Sequence, residues 1–472
     1  MNKKLSLASL LVAALLLMLP LLNLRSHPSG TPLTREPQPD IAAAKAASLL
    51  EMKCAWCHVP GTPPPFYAKL PIASSLIGRD IRQGIAALDI KRDLFPANGA
   101  PSEVALAKLE HALIVGSMPP GRFLALHWNG GVDAEMRQEL LGWIGSVRAR
   151  DFAPKGVSAE VAAGPVHPLP ASIKVDARKA ALGKKLYFDK RLSGDNTISC
   201  ASCHDLGKGG TDLAKVSTGI RGQKGGINAP TTFNAAFQFL QFWDGRAPTL
   251  QAQAGGPPQN PIEMGSDWKE IPAKLAKDAA FAQQFRNVYP SGLSEKNITD
   301  AIAEFEKTLL TPNSKFDKFL LGKGDLAADE MRGWELFRSK GCVTCHAGKL
   351  LGGQSFELMG RKADYFASRS SRRSMTKEEL DSFASSGGLT DADNGRWSVT
   401  KDEADRHRFK VPTLRNIART APYFHDGTAA DLKDAVQTMA RYQLGAALSD
   451  DERDAVVKFL ETLTGEFQGK QL

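Results

Sequence analysis

Two kinds of apolar pattern run along the chain. The first is a nearly unbroken run from Leu5 to Leu24, preceded by Lys3 and Lys4 and followed by Arg25. A run of about 20 apolar residues is long enough to cross a bilayer core as a helix. The two lysines favour a cytoplasmic N-terminus, and no A-x-A cleavage site follows. A membrane anchor over residues 1–27 is therefore expected, with a removed signal peptide as the alternative, and the bulk of the chain is exported in either case. The second pattern is helical spacing, broken by polar and glycine-rich stretches. Ala42–Met52 is a run of helix formers that leads into Cys54. Ser102 can cap a helix through Ile114, and Asp133–Val147 sets Leu140, Leu141, Ile144 and Val147 on one face. The helical pattern returns over Ala177–Phe188 and over Leu326–Ser339. Ser449 and Glu452 form a capping box that opens a last helix to about Leu463.

The chemistry enters with cysteine. The chain has 6 Cys, and all of them lie in C-x-x-C-H motifs: Cys54, Cys57 and His58; Cys200, Cys203 and His204; Cys342, Cys345 and His346. That motif attaches haem c: two thiols add across the vinyl groups and the adjacent His reaches the iron. A zinc site lacks a fourth ligand near any motif. A disulfide framework suits a short chain, not one of 472 residues. A thioredoxin-like pair would not explain three copies, each followed by His. Three covalent haems are expected.

The fold class that follows is mainly α, with three cytochrome c-type haem domains after an N-terminal transmembrane helix. The domains are residues 40–150, 177–312 and 313–472, with a proline-rich linker at 151–176 in which His167 should face solvent. Haem c attachment outside the cytoplasm places them in the periplasm, on the inner membrane. Net charge is +9, with Lys and Arg scattered rather than gathered in a stripe, so nucleic-acid binding is not indicated. In the first domain Met118, in Ser-Met-Pro-Pro, is the expected sixth ligand of the His58 iron, because a thioether opposite His raises the potential. His127 is its rival. Polar, Ser/Arg-rich residues at Ser368–Ser374 suggest a surface insertion.

The order of the motifs LGKKLYFDKRLS, SCASCHDL, NAPTTFN, QFWDGRA, NPIEM, KVPTLRN and APYFHDG resembles the bacterial dihaem cytochrome c peroxidases. The N-terminal part is similar to their three-haem, membrane-anchored quinol peroxidase subgroup. The resemblance implies that hydrogen peroxide is reduced to water at the His204 haem. It implies that Glu263 shuttles a proton between the peroxide oxygens, Gln253 orients the peroxide, and Trp243 lies on the electron path. It makes the His346 haem the electron-transferring one, with Met439 as sixth ligand, ahead of Met359. His425 becomes a propionate or packing partner. It also implies a calcium ion on Asn228 and on the backbone carbonyls of Thr420 and Pro422. Many relatives carry a His in the loop before NAPT that closes the peroxidatic iron. Here Ile220 stands in that loop, and none of the 9 His lies between His204 and His346. An open sixth position, with no need of reductive activation, is expected. The extra haem and the anchor point to a quinol as donor, with a small cytochrome c as the alternative. An electron-carrier cytochrome would need every iron fully ligated, and a dihaem oxygenase would carry Tyr where Met439 stands.

Overall fold

The computed structural model describes residues 30–367 and 390–472, with a few positions between 18 and 28. The chain divides into two compact units. One is formed by Met1–Lys155 with Ala159–Pro165, the other by Gly156–Ser158 with Val166–Leu472.

In the first unit, helix α1 (Ile41–His58) starts where the Asp40 carboxylate accepts from Ala43 N–H, and it carries the whole Cys54–His58 motif on its last turn. Helix α2 (Pro71–Ala87) packs on it, as does α4 (Ala134–Asp151), and α3 (Glu103–Val115) packs on α4. Leu50, Leu106, Ile144 and Val147 fill the core between them. Each is worth about 1.5–3 kcal/mol when withdrawn from water. Helix α2 was not legible from apolar spacing, because Ser74, Ser75, Gly78 and Gly84 dilute it. Gly84 has its own reason: a β-carbon there would lie 2.4 Å from the Cys57 carbonyl oxygen.

The expected transmembrane helix is corrected. Among the described residues no helix is long and apolar enough to cross a membrane. The longest, α1 and α4, have 18 residues each and carry Lys45, Glu51, Lys53, Glu139 and Arg148. At the end of the Leu5–Leu24 run, Asn23 Nδ2 donates to Leu126 O and Asn129 Nδ2 donates to Leu24 O, so these residues bond to protein. Most of that run lies outside the described residues, as does the insertion expected at Ser368–Ser374.

The second unit is built from one arrangement used twice. Helix α5 (Ala177–Tyr187) crosses α7 (Glu295–Glu306) at Gly183, where a β-carbon would sit 1.8 Å from Ala301 O and 2.8 Å from Phe305 Cβ. Helix α8 (Ala328–Ser339) crosses α10 (Asp450–Glu461) at Gly333, 1.9 Å from Ala455 O and 2.8 Å from Phe459 Cβ. The loops between repeat as well. Asn234 and Asn416 both adopt the left-handed conformation, and so do Phe242 and Phe424. Bridges Gln241–Ala247 and Tyr423–Ala429 close equivalent turns. These are the segments NAPTTFN with KVPTLRN, and QFWDGRA with YFHDGTA. A short helix follows each turn: α6 (Leu250–Ala254), capped by Thr249, and α9 (Leu432–Met439), capped by Asp431. The sheet content is small. Strand β1 (Phe356–Leu358) pairs antiparallel with β2 (Arg408–Lys410), Glu357 opposite Phe409, and two short strands pair near the C-terminus.

The linker differs from expectation at His167, which is buried, not solvent-facing. Its carbonyl accepts from Arg415 Nη2 at 3.1 Å, and Leu169 N–H donates to Asp317 Oδ1 at 3.1 Å. Arg415 and Asp317 form an ion pair of 2.8 Å with both side chains at most 1% exposed. The start of the second unit is tied down by these groups.

Candidate active site

Each C-x-x-C-H motif presents its imidazole in the same way. Nδ1 of His58 lies 3.0 Å from Leu88 O, that of His204 3.4 Å from Gly210 O, and that of His346 2.8 Å from Leu351 O. A carbonyl can only accept, so Nδ1 carries the proton. Burial holds all three rings below the usual imidazole range, hence neutral. Nε2 is then the lone-pair nitrogen, the form a metal-ligating His needs. The six cysteines are half-buried and form no disulfide. Burial pushes Cys54, Cys200 and Cys342 up to about 12, so they are poor thiolate ligands. Within a motif the thiols and imidazole do not converge as a zinc site requires. Among the described residues the convergence found is Asp393, His425 and Asp426. The donor set fits haem c and does not fit zinc.

Around His204 the loops close through backbone contacts. Ile220 N–H donates to Glu263 O at 2.8 Å, and a β-carbon on Gly219 would strike Ile262 O at 1.9 Å. Ile220 is thereby locked and buried, with no ligating atom to offer. The Glu263 carboxylate is half-buried and accepts from Asn260 Nδ2 at 2.7 Å. Burial raises it above the usual carboxylate range, against the pull of Arg246 and the Asn260 bond. Its charge also raises the Cys203 thiol, so it belongs to the His204 motif. Gln253, half-buried, is in α6 one residue before its last. Counted from the two capping residues, Met439 of α9 corresponds to Pro257, beyond the end of α6. The His204 half therefore has no thioether where the His346 half has one.

Met439 stands where α9 gives way to a π-helical turn, Ala440–Leu444, an irregularity often found at functional positions. It packs against the buried cluster of Met359, Tyr365, Phe366 and Phe409, as Trp243 does. Met359 is buried in the same cluster, its sulfur 3.7 Å from Gln443 Nε2. Trp243 comes from the His204 half in sequence but packs against the His346 half. Its Nε1 donates to Asn228 O at 2.9 Å, its carbonyl accepts from Lys410 N–H at 2.8 Å, and its ring meets His425 edge-on at 6.4 Å. His425 is buried, stacked on Phe409, with Nε2 2.7 Å from Asp393 Oδ1. Asn228 takes its place through its N–H to His425 O at 2.7 Å. Its Nδ2 is committed to Ala214 O at 2.9 Å, so only Oδ1 can serve as a cation ligand. The Gly209 loop approaches the same segment, a β-carbon there lying 2.9 Å from Arg419 O, next to Thr420 and three residues before Pro422.

In the first unit His127 has both ring nitrogens engaged, Nε2 with Tyr67 OH at 2.6 Å and Nδ1 with Phe123 O at 2.9 Å. Met118 is 50% exposed. Sequence reasoning missed Asn260, Arg246 and Asp393, and it missed the meaning of Pro257. The internal repeat was the signal that could have found the last.

Comparison with known proteins agrees with this geometry. Residues 177–325 match the family model "Di-haem cytochrome c peroxidase", and residues 16–146 match "Haem-binding domain". "Cytochrome c peroxidase Ccp" of Escherichia coli is 46% identical over 442 residues, 91% of either chain. The chain belongs to the di-haem cytochrome c peroxidase family.

"Cytochrome c551 peroxidase" of Nitrosomonas europaea is 45% identical over 67% of this chain and 88% of its own. Among solved structures, a MauG-like protein associated with microbial copper homeostasis matches with a TM-score of 0.53 at 27% identity, over 66% of this chain and 95% of that one. This peroxidase is thus a haem oxidoreductase that reduces hydrogen peroxide with c-type haems.

Proposed function

We propose that this peroxidase works in the periplasm as a three-haem relay, with peroxide reduced at His204. The single observation that carries the placement is the repeat: Met439 in one half, Pro257 and a buried Ile220 in the other. The haem supplies a redox-active iron that passes electrons to the peroxide O–O bond. The chain's own groups manage position and protons. Glu263 accepts the proton of the near peroxide oxygen and returns it to the far one, so that the leaving group is water. The Gln253 amide orients the peroxide. With two electrons and two protons the products are two waters.

Trp243 supports the electron path, since it reaches from the His204 half into the cluster that holds Met439. A calcium ion on Asn228 Oδ1 and the carbonyls of Thr420 and Pro422 would tie the two halves together at this path. In the first unit Cys54, Cys57 and His58 would hold a haem and Met118 would supply its second protein ligand, a reading supported by the full engagement of His127. Electrons come in there, and a quinol is the donor. A small cytochrome c is the second reading, favoured by the name "Cytochrome c551 peroxidase" of a relative that aligns with 67% of this chain.

The test is peroxide turnover by the purified full chain with a quinol, then a small cytochrome c, as sole donor. Wild type is compared with Glu263→Ala and Met118→Ala. Loss of rate in the first variant with either donor supports the proton role. Unchanged rates in the second would remove His58 from the relay.

A further inference from the structure

The two halves of the second unit can be read position by position. Gly183 meets Ala301 and Phe305 as Gly333 meets Ala455 and Phe459. Thr308 Oγ1 donates to Phe305 O and Thr462 Oγ1 to Phe459 O, both at 2.6 Å. In this register Tyr187 corresponds to Phe337, and Glu306 to Leu460. Phe337 and Leu460 are core side chains. Glu306 is equally withdrawn, 5% exposed, and its Oε2 has no hydrogen-bond partner.

Burying an unpaired carboxyl is costly, and an apolar residue of similar volume would be cheaper. The repeat shows that the position accepts Leu. Glu306 is therefore not explained by packing. Burial alone pushes it up to about 8, which makes it an uncharged acid at neutral pH. It lies near enough to Cys200 and Tyr187 to raise both. Tyr187 OH donates to His204 O at 2.6 Å. Asp205 is the other acid that acts on Tyr187. On the packed helices Lys179 pairs with Asp300 at 2.7 Å, and Lys307, just past α7, pairs with Glu304 at 2.5 Å, while Arg178, Lys184, Lys185, Glu295 and Lys296 are exposed. Helix α6, which also packs on α7, brings none.

We propose that Glu306, beside Tyr187, is a proton-holding group of the His204 haem site. Above about pH 8, where it is otherwise a carboxylate, it takes up one proton from solvent when that haem receives one electron, and releases it when the electron leaves. The electron comes from the enzyme's own donor, and the only bond formed is the O–H of Glu306. Lowering the positive charge of a buried site favours protonation of a neighbouring carboxylate. The His346 half, with Phe337 and Leu460, lacks the device. The inference rests on the assignment of haem to the His204 motif.

The test is a spectroelectrochemical titration of the haem-loaded enzyme on either side of pH 8. In the wild type the potential of the His204 haem should fall as pH rises, and that of the His346 haem should not. Glu306→Gln, which keeps the shape, should abolish the slope at His204, and Glu306→Asp should restore part of it. A slope that persists in Glu306→Gln overturns the proposal. If that variant does not fold, infrared difference spectra of the wild type decide: reduction above pH 8 must produce a protonated carboxyl band, and its absence overturns the proposal. Absence of haem from Cys200 and Cys203 would instead sink the underlying assignment, and haem content is measured first.

Discussion

Replacing Glu263 by Gln removes one proton-accepting oxygen and little else. The amide keeps the volume, and its oxygen can still accept from Asn260 Nδ2, now at 2.7 Å. Peroxide would still bind, but the proton of its near oxygen would have no acceptor. Positioned acid–base groups contribute roughly 10²–10⁴ in rate, which is about 3–5 kcal/mol at 1.36 kcal/mol per decade. Steady-state peroxide reduction should therefore lose kcat/KM by about that factor. The pH profile carries the sign. Glu263 must start as the carboxylate, and burial raises it above its ordinary value of 4.5. Wild-type activity should fall as pH drops through that raised value, so the acid limb lies above pH 4.5. Arg246 and Asn260 both pull Glu263 down. Arg246→Gln or Asn260→Ala should move the acid limb upward, and Glu263→Gln should erase it. A Glu263→Gln enzyme with near wild-type rate and an unmoved acid limb would refute the proton-shuttle role.

Other changes test the frame. Asp317→Asn strands the buried Arg415 guanidinium and should cost about 3–5 kcal/mol in denaturant unfolding of the full chain. Gly333→Ala puts a methyl 1.9 Å from Ala455 O, so it should force α8 from α10 and lower haem retention at Cys342 and Cys345, read by peptide mass analysis. Met439→Ala should remove the thioether-ligated signal of one haem and lower its potential, leaving the others unchanged. Trp243→Phe keeps most of the packing but loses the Nε1–Asn228 bond of 2.9 Å. It should slow electron transfer between the haems in stopped-flow reduction without changing peroxide binding.

The haem motifs were legible because their chemistry is local: two thiols and an imidazole within five residues need no knowledge of the fold. Helix caps at Ser102 and Ser449 were legible for the same reason. What failed depended on distant partners. His167 sits in a proline-rich stretch that looks like solvent-facing linker, yet Arg415 reaches its carbonyl from the far end of the unit. Asp393 becomes the partner of His425 only when segments far apart in sequence meet. Helix α2 is weakly apolar because its Gly84 serves a close approach to Cys57 rather than a core. The apolar run at the N-terminus read as a membrane helix, while Asn23 and Leu24 at its end bond to protein. The internal repeat was present in the sequence, but weak identity hid it until matching backbone turns at Asn234 and Asn416 revealed the register.

Of the haem irons, the one at His204 alone should keep a coordination place for peroxide. Electron paramagnetic resonance of the oxidised, haem-loaded protein, before and after one equivalent of peroxide, addresses it directly. The expected result is a high-spin signal from the His204 haem beside low-spin signals from the His58 and His346 haems, with only the high-spin signal changed at once by peroxide. Low-spin, side-chain-ligated signals from every haem, together with no response to peroxide in either the oxidised or the reduced protein, would contradict it.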